Sequence, residues 1–257
     1  MLKGTKFKLV FGVCALLVTP LIFAQSTEVK EKPPMFSYVS FWTIPRAQWP
    51  ELEKSGSAEA DLLGKALSSG TLIGYGSDRT LVHQAEGPTH DRWWSAMSLA
   101  GLLNVLDSIY KSGQATSPAL LSATKHWDGI YVSRYYNWHA GSWKGAYGHV
   151  SSYKLKPDAP DDAVEKLSKN MVGPLLEKML ADGVIFEYEI DTEAIHTEAP
   201  GRFWIVYVSQ NPEGLDKVNA AIRETLKANP LSGPAFGSMT DFSAHRDYLS
   251  RTEATYK

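Results

Sequence analysis

Apolar and polar positions along this chain alternate in two rhythms, and the order of those rhythms occurs twice. The run from Phe36 to Ile44 has the aromatic and β-branched composition of a strand, ended by Pro45. A helical region follows to about Ser69, broken near Ser55-Gly56-Ser57 and closed by Gly70, a residue suited to a helix C-terminus. Thr71 to Gln84 reads as a second strand, Glu86-Gly87-Pro88 as a turn, and Arg92 to Leu99 as a third strand. Leu102, Val105, Leu106 and Ile109 then recur at helical spacing, Gly113 stops that helix, and Gly129 to Trp138 makes a fourth strand. The order is βαββαβ.

The second half runs the same way. His149 to Leu155 is a strand ended by Pro157. Asp161 is placed to cap a helix whose apolar face holds Val164, Leu167, Met171, Leu175 and Met179, with Pro174 inside it as a kink. Val184 to His196 and Arg202 to Ser209 are the next strands. Asn211-Pro212 opens a helix by cap and first-turn proline. The letters repeat with the rhythm, at a spacing of 113: Leu62, Leu63, Lys65, Leu67, Gly70, Tyr75, Asp78 and His83 fall on Leu175, Leu176, Lys178, Leu180, Gly183, Tyr188, Asp191 and His196. Average residue usage predicts about one or two identities over such a stretch. Asp128 pairs with Asp241 at the same spacing, and Arg134 and Tyr136 pair with Arg246 and Tyr248 one residue closer.

Two βαββαβ units are two ferredoxin-like folds, each a four-stranded antiparallel sheet with helices on one face. In Arg202 to Ser209, Phe203, Ile205 and Tyr207 point one way and Trp204, Val206 and Val208 the other, so both faces need cover. The predicted architecture is therefore α+β: two tandem ferredoxin-like units, 35–145 and 146–257, packed sheet to sheet as a pseudo-dimeric α+β barrel within one chain. In element order and hydrophobic pattern the chain resembles the dimeric α+β barrel superfamily, which includes antibiotic-biosynthesis monooxygenase-like and EthD-like proteins. The resemblance implies cofactor-free oxidation, haem handling or isomerisation of a small molecule. No residue motif singles out a member family.

Charge and composition set the address. Lys3, Lys6 and Lys8 precede an apolar run from Leu9 to Phe23, and Ala24 precedes a polar stretch, the form of a cleavable secretory signal over 1–24 followed by a linker over 25–34. Its apolar run is shorter than the roughly twenty residues of a membrane span, so no stable membrane insertion is expected after cleavage, and the chain is expected to be exported. Cleavage removes Cys14, the only cysteine, and three lysines, leaving 23 of 26 basic residues against 28 acidic ones. Thiol chemistry and disulfides are thereby excluded from the mature chain. The basic stripe of a nucleic-acid binder is missing.

Candidate chemistry concentrates in the first half. Ser95, Ala96 and Ser98 stand where the matching strand of the second half is bulky, and seven of eight tryptophans lie at or before Trp143. Trp93, Trp94, Ser95, Tyr135, Trp138 and Arg92 are therefore the expected lining of a cavity in the first unit, and packing of these rings into the core is the competing reading. His83 and His139 are the candidate proton-transfer groups, since histidine titrates near neutrality. No cofactor is called for. A metal site at His83, His90 and Asp91 matches no standard ligand spacing. The alternating Glu187, Glu189, Asp191 and Glu193 read as an exposed strand face or a charged edge. A non-catalytic assembly module, associating with itself through its sheets, is the alternative function.

Overall fold

Among the described residues, nine antiparallel strands form one sheet, and eight of them close on themselves. The structure, a computed structural model, describes residues 29–197 and 201–257, without the side chains of 55–58. The proposed leader and the first four residues of the linker lie outside the described residues. The first half runs β1 (Met35–Thr43), α1 (Trp49–Ser68), β2 (Gly74–Thr80), β3 (His90–Ala96), α2 (Leu99–Ser112), α3 (Pro118–Leu121) and β4 (Lys125–Trp138). After β5 (Ser142–Trp143), the second half runs β6 (Tyr147–Leu155), α4 (Ala163–Leu167), α5 (Gly173–Ala181), β7 (Ile185–Glu193), β8 (Arg202–Ser209), α6 (Pro212–Ala228), α7 (Ser232–Met239) and β9 (Thr240–Tyr256). Strand order is β2-β3-β1-β4-β7-β8-β6-β9, and β9 pairs back onto β2. The halves therefore join by hydrogen-bonded edges at β4–β7 and β2–β9. Their inner faces look at each other across a lumen.

Helices cover the outside, and the two outer cores use corresponding residues. Leu63, Tyr75 and Val105 are buried in one, and Leu176, Tyr188 and Val218 in the other. The caps follow the chemistry of the chain: Ser98 and Asn211 accept from the backbone N–H of Gly101 and Gly214, and Gly113 ends α2 at a φ of 75°.

Several boundaries differ from the expected ones. Helix α1 runs unbroken through 55–58, held by Leu52 and Leu63 buried on either side. Asp162 rather than Asp161 precedes α4, with no side-chain cap. The kink expected at Pro174 is taken up by a π-helical turn, Ser168–Val172, just before Gly173-Pro174. Strand β2 stops at Thr80, which puts His83 in an exposed turn, off the strand. Residues 29–34 do not run free. Val29 is buried beside Tyr135 and Ile190, Glu31 pairs with Arg134 at 2.7 Å, and Tyr136 donates to the Pro33 carbonyl. No described helix is long and apolar enough to cross a membrane.

Candidate functional site

Alternation along β7 sorts its side chains to two sides of the wall. Tyr188 and Ile190 enter the outer cores, while Glu187, Glu189, Asp191 and Glu193 face inward and are 4 to 9% exposed. The acidic stripe is therefore not a solvent face. Closure of the barrel turns it into the lining of a cavity of about 220 Å³, with Glu187, Glu189 and Asp191 on its wall. Aromatic rings from several other strands supply much of the remaining lining: Trp93 from β3, Trp127 and Tyr131 from β4, and Trp204 from β8. Tyr131 meets Trp204 edge to face at 4.8 Å, a favoured aromatic geometry.

Lys257 lies across this lumen. The Lys257 side chain has no solvent exposure, and its Nζ donates at 2.9 Å to Oε1 of Glu189 and sits 2.9 Å from Oε1 of Glu187. The same ammonium lies 4.8 Å from the ring centres of Trp93 and Trp138, within cation–π range. Two glycines on β2 make room. A Cβ on Gly74 would come within 2.6 Å of the Lys257 stem, and one on Gly76 within 2.7 Å of the Trp93 indole. At the 113-residue spacing these positions correspond to Glu187 and Glu189 on β7. One wall is emptied where the other carries carboxylates. Gly76→Ala is expected to cost about 1–3 kcal/mol by overpacking and to shift the tryptophan emission. Equilibrium unfolding with an unchanged midpoint and spectrum would show that the indole has room to spare.

Burial keeps protons in the lumen. It pushes the Glu187 carboxyl up to about 8; Lys257 opposes that rise and Glu189 adds to it. Burial, then Glu189, holds Asp191 well above the usual carboxylate range. Lys257 is penalised by burial, but Glu187 and Glu189 more than offset this and its affinity for a proton is raised. A second acidic pair, Asp78 and Asp91, stands directly cross-strand on β2 and β3, where two like charges are unfavourable. Both keep surface open to the lumen although the wall encloses them. Burial raises both, Asp91 further because Asp78 adjoins it, while the Trp93 indole N–H donates to Asp78 at 3.1 Å and favours its ionised form. Two carboxyl oxygens, Oε2 of Glu187 and Oδ1 of Asp191, are buried without a hydrogen-bond partner. Unmatched acceptors of this kind are costly unless a proton or a ligand meets them.

The residues singled out from sequence are not gathered in one place. Trp93 lines the lumen, and Trp138 reaches it through Lys257. Ser95 lies on the same face as Trp93 but is fully buried against Ser37, Oγ to Oγ 2.7 Å. Trp94 faces outward, stacked on Tyr38 at 4.5 Å in the helix-covered core, because it neighbours Trp93 on an alternating strand. Arg92 also faces outward and pairs with Glu59 of α1. Tyr135 belongs to the outer core with Val29 and Ile190. His83 is exposed and tilts against Trp49; His139 is exposed with Nε2 3.0 Å from the Leu180 carbonyl oxygen. Neither histidine lines the cavity. Ala96 is buried in the outer core and Ser98 caps α2, so the small residues of β3 open no space of their own. The cavity belongs to both halves, not to the first. His90 and Asp91 point to opposite faces, and among the described residues no group of three metal-ligating side chains forms.

Comparison with known proteins returns the fold. No protein-family model matches the chain, and no curated protein matches it. A candidate monooxygenase from Lactobacillus acidophilus superposes with a TM-score of 0.60 at 11% identity, covering 88% of this chain and 97% of that one. One from Fusobacterium nucleatum gives 0.57 at 6%, covering 88% and 95%. An anthrone oxidase-like protein gives 0.52 at 9%, covering 88% and 93%. These are dimeric α+β barrel proteins. The chain shares their fold. The similarity is one of architecture.

Proposed function

We propose that the lumen binds a small, partly aromatic molecule and exchanges a proton with it, in chemistry of a cofactor-free oxidative or isomerase type. The observation that carries this reading is the pair of unpartnered oxygens on Glu187 and Asp191, set in an aromatic cavity. A carboxyl that titrates near neutrality is a good proton-transfer group, because both its forms are populated at working pH. Ionised Glu187 removes a proton from an acidic C–H of the bound molecule. Returned to a different atom, that proton completes an isomerisation. With dioxygen as co-substrate and electron acceptor, the same carbanion is oxidised. The kinship of fold with monooxygenase and anthrone oxidase-like proteins supports the second outcome. At about 220 Å³ the cavity is smaller than the roughly 300–1,000 Å³ typical of drug-sized ligands, so the substrate is compact.

The test is native mass spectrometry of the protein purified from its own host. A small molecule should be released on denaturation, and filling the lumen by Val150→Trp should abolish its retention while the protein stays folded. Retention unaffected by that substitution would place the ligand elsewhere.

The duplication and the address belong to this proposal too. We read 35–145 and 146–257 as two copies of one ferredoxin-like unit. A cluster on the outer wall supports this: Ser40 bonds Asp128, with His126 3.1 Å from that carboxylate, while Ser151 bonds Asp247, with His245 3.1 Å away. Strand register thus matches Asp128 with Asp247 rather than with Asp241. Export with cleavage after Ala24 follows from the leader; amino-terminal sequencing of the secreted or periplasmic fraction should begin at Gln25. Self-association remains the alternative role, but the sheet edges at β4–β7 and β2–β9 are already joined within the chain.

A further inference from the structure

We propose that the molecule held in the lumen carries a protonated amine on its small aromatic body. This rests on the lumen being the ligand site, and it names the class of ligand. Five carboxyl groups line the cavity, from Asp78, Asp91, Glu187, Glu189 and Asp191. Among the described residues, two cations come near them. Lys257 is spent between Glu187 and Glu189. Arg202 lines the cavity beside Trp204, the residue that pairs with Asp191, so five carboxyls face two cations. Oε2 of Glu187 and Oδ1 of Asp191 have no hydrogen-bond partner, on residues 4% and 7% exposed. An ammonium offers three N–H donors and no acceptor, so it matches such oxygens without leaving a lone pair of its own unmet.

The walls fit the same group. Aromatic faces attract an ammonium through their quadrupole, most strongly where water is excluded. The lumen already demonstrates this on itself: the Lys257 ammonium sits between the Trp93 and Trp138 rings with carboxylates on its other sides. Trp127, Tyr131 and Trp204 line the same cavity as Asp191. An anionic ligand would meet carboxyls at either end. A neutral hydroxyl can donate to one of these oxygens but brings no charge to offset the carboxylates. On binding, the ligand's charge draws the neighbouring carboxyls into their ionised form, and the protons they held leave for solvent.

The test compares three probes of one size on the whole purified protein at neutral pH: benzylamine, benzyl alcohol and benzoate. Quenching of tryptophan emission and thermal shift report binding. Benzylamine should bind at least tenfold tighter than benzyl alcohol, and benzoate should not bind. Calorimetry in two buffers of different ionisation enthalpy should show protons released with benzylamine alone. Asp191→Asn should weaken benzylamine at least tenfold and change benzyl alcohol less than twofold. Should that variant not fold, Glu187→Gln takes its place in the same comparison. Benzyl alcohol or benzoate binding as tightly as benzylamine overturns the charge assignment and leaves the lumen as the site. No response to any of the three, or a response that persists when Val150→Trp fills the lumen, overturns both.

Discussion

Lys257→Met is expected to lower the free energy of unfolding by about 3–5 kcal/mol, the usual cost of removing one partner from a buried ion pair. The methionine keeps most of the stem volume beside Gly74, so little of the loss is packing. What remains is a pair of carboxyls, Glu187 and Glu189, enclosed between indole rings with no cation. The protein can answer only by protonating one or both, so the variant should regain stability as the pH is lowered. Adding Glu187→Gln and Glu189→Gln to the same chain should restore most of the loss, because a neutral trio in place of a buried ion cluster is often as stable as the original. Urea unfolding of the single and triple variants decides the matter. A single variant within about 1 kcal/mol of the parent would mean that water reaches the lumen floor and screens the charges.

Stability should also fall as the pH rises from 6.5 to 8. Glu187 has an ordinary value of 4.5 and is pushed up to about 8 in the fold, so across this window the native state binds protons that the unfolded chain has released. The slope of unfolding free energy with pH follows protons bound unfolded minus native, here negative. Asp191 and Asp91, raised by the same burial, act in the same direction. Lys257, raised in the fold, contributes stability present below its unfolded value of 10.5 and lost only above it, outside the window. Below 6.5 the sign is opposed by His90, depressed to about 4 by burial and the nearby Arg79 and Arg92, and by His149, depressed by burial. Depressed histidines lose protons on folding, so they favour the native state as pH rises from about 4 to 6.5. The three raised carboxyls outnumber the two histidines, so the histidines make the decline shallower below 6.5 than above it. Unfolding midpoints at three pH values between 6.5 and 8 should decline in the parent and decline less steeply in Glu187→Gln, where Asp191 and Asp91 remain; a flat or rising parent would contradict the buried-proton account.

Much of the scaffold can be read along the chain, because its signals are local. The strand Arg202–Ser209 is apolar on both faces and bounded by a turn, and it forms at the expected residues. Asn211-Pro212 and Gly113 mark helix ends by chemistry that needs no tertiary context. Gly56 misleads, since burial of Leu52 and Leu63 outweighs the cost of one glycine in the helix. The site is harder. Period two along Glu187 to Glu193 separates two faces but does not say which is inside, and only closure of the barrel reverses the usual assignment of polar to out. A signal was there: Asp78 and Asp191 are identical at the 113-residue spacing, beside Tyr75 and Tyr188, and both point into the lumen. The tyrosines explain themselves as core. The aspartates do not. Lys257 had no such marker, because its role depends on glycines at 74 and 76, far away along the chain. Aromatic density found Trp93 and Trp138, but Trp94 and Tyr135 lie on the other side of the wall.

Joining both barrel edges within one chain has a consequence for what the lumen can become. A barrel assembled from two identical subunits is bound by its twofold axis: any residue placed on one wall appears on the facing wall as well. A glutamate opposite a glutamate, or a glycine opposite a glycine, is all it can offer. Here the covalent link abolishes that obligation. Gly74 and Gly76 stand 113 residues before Glu187 and Glu189, on a wall that is emptied where theirs is charged, and Lys257 lies between the two. The interior therefore has a direction, with different chemistry at its two walls, and the ligand proposed for it would have one way to lie rather than two equivalent ones.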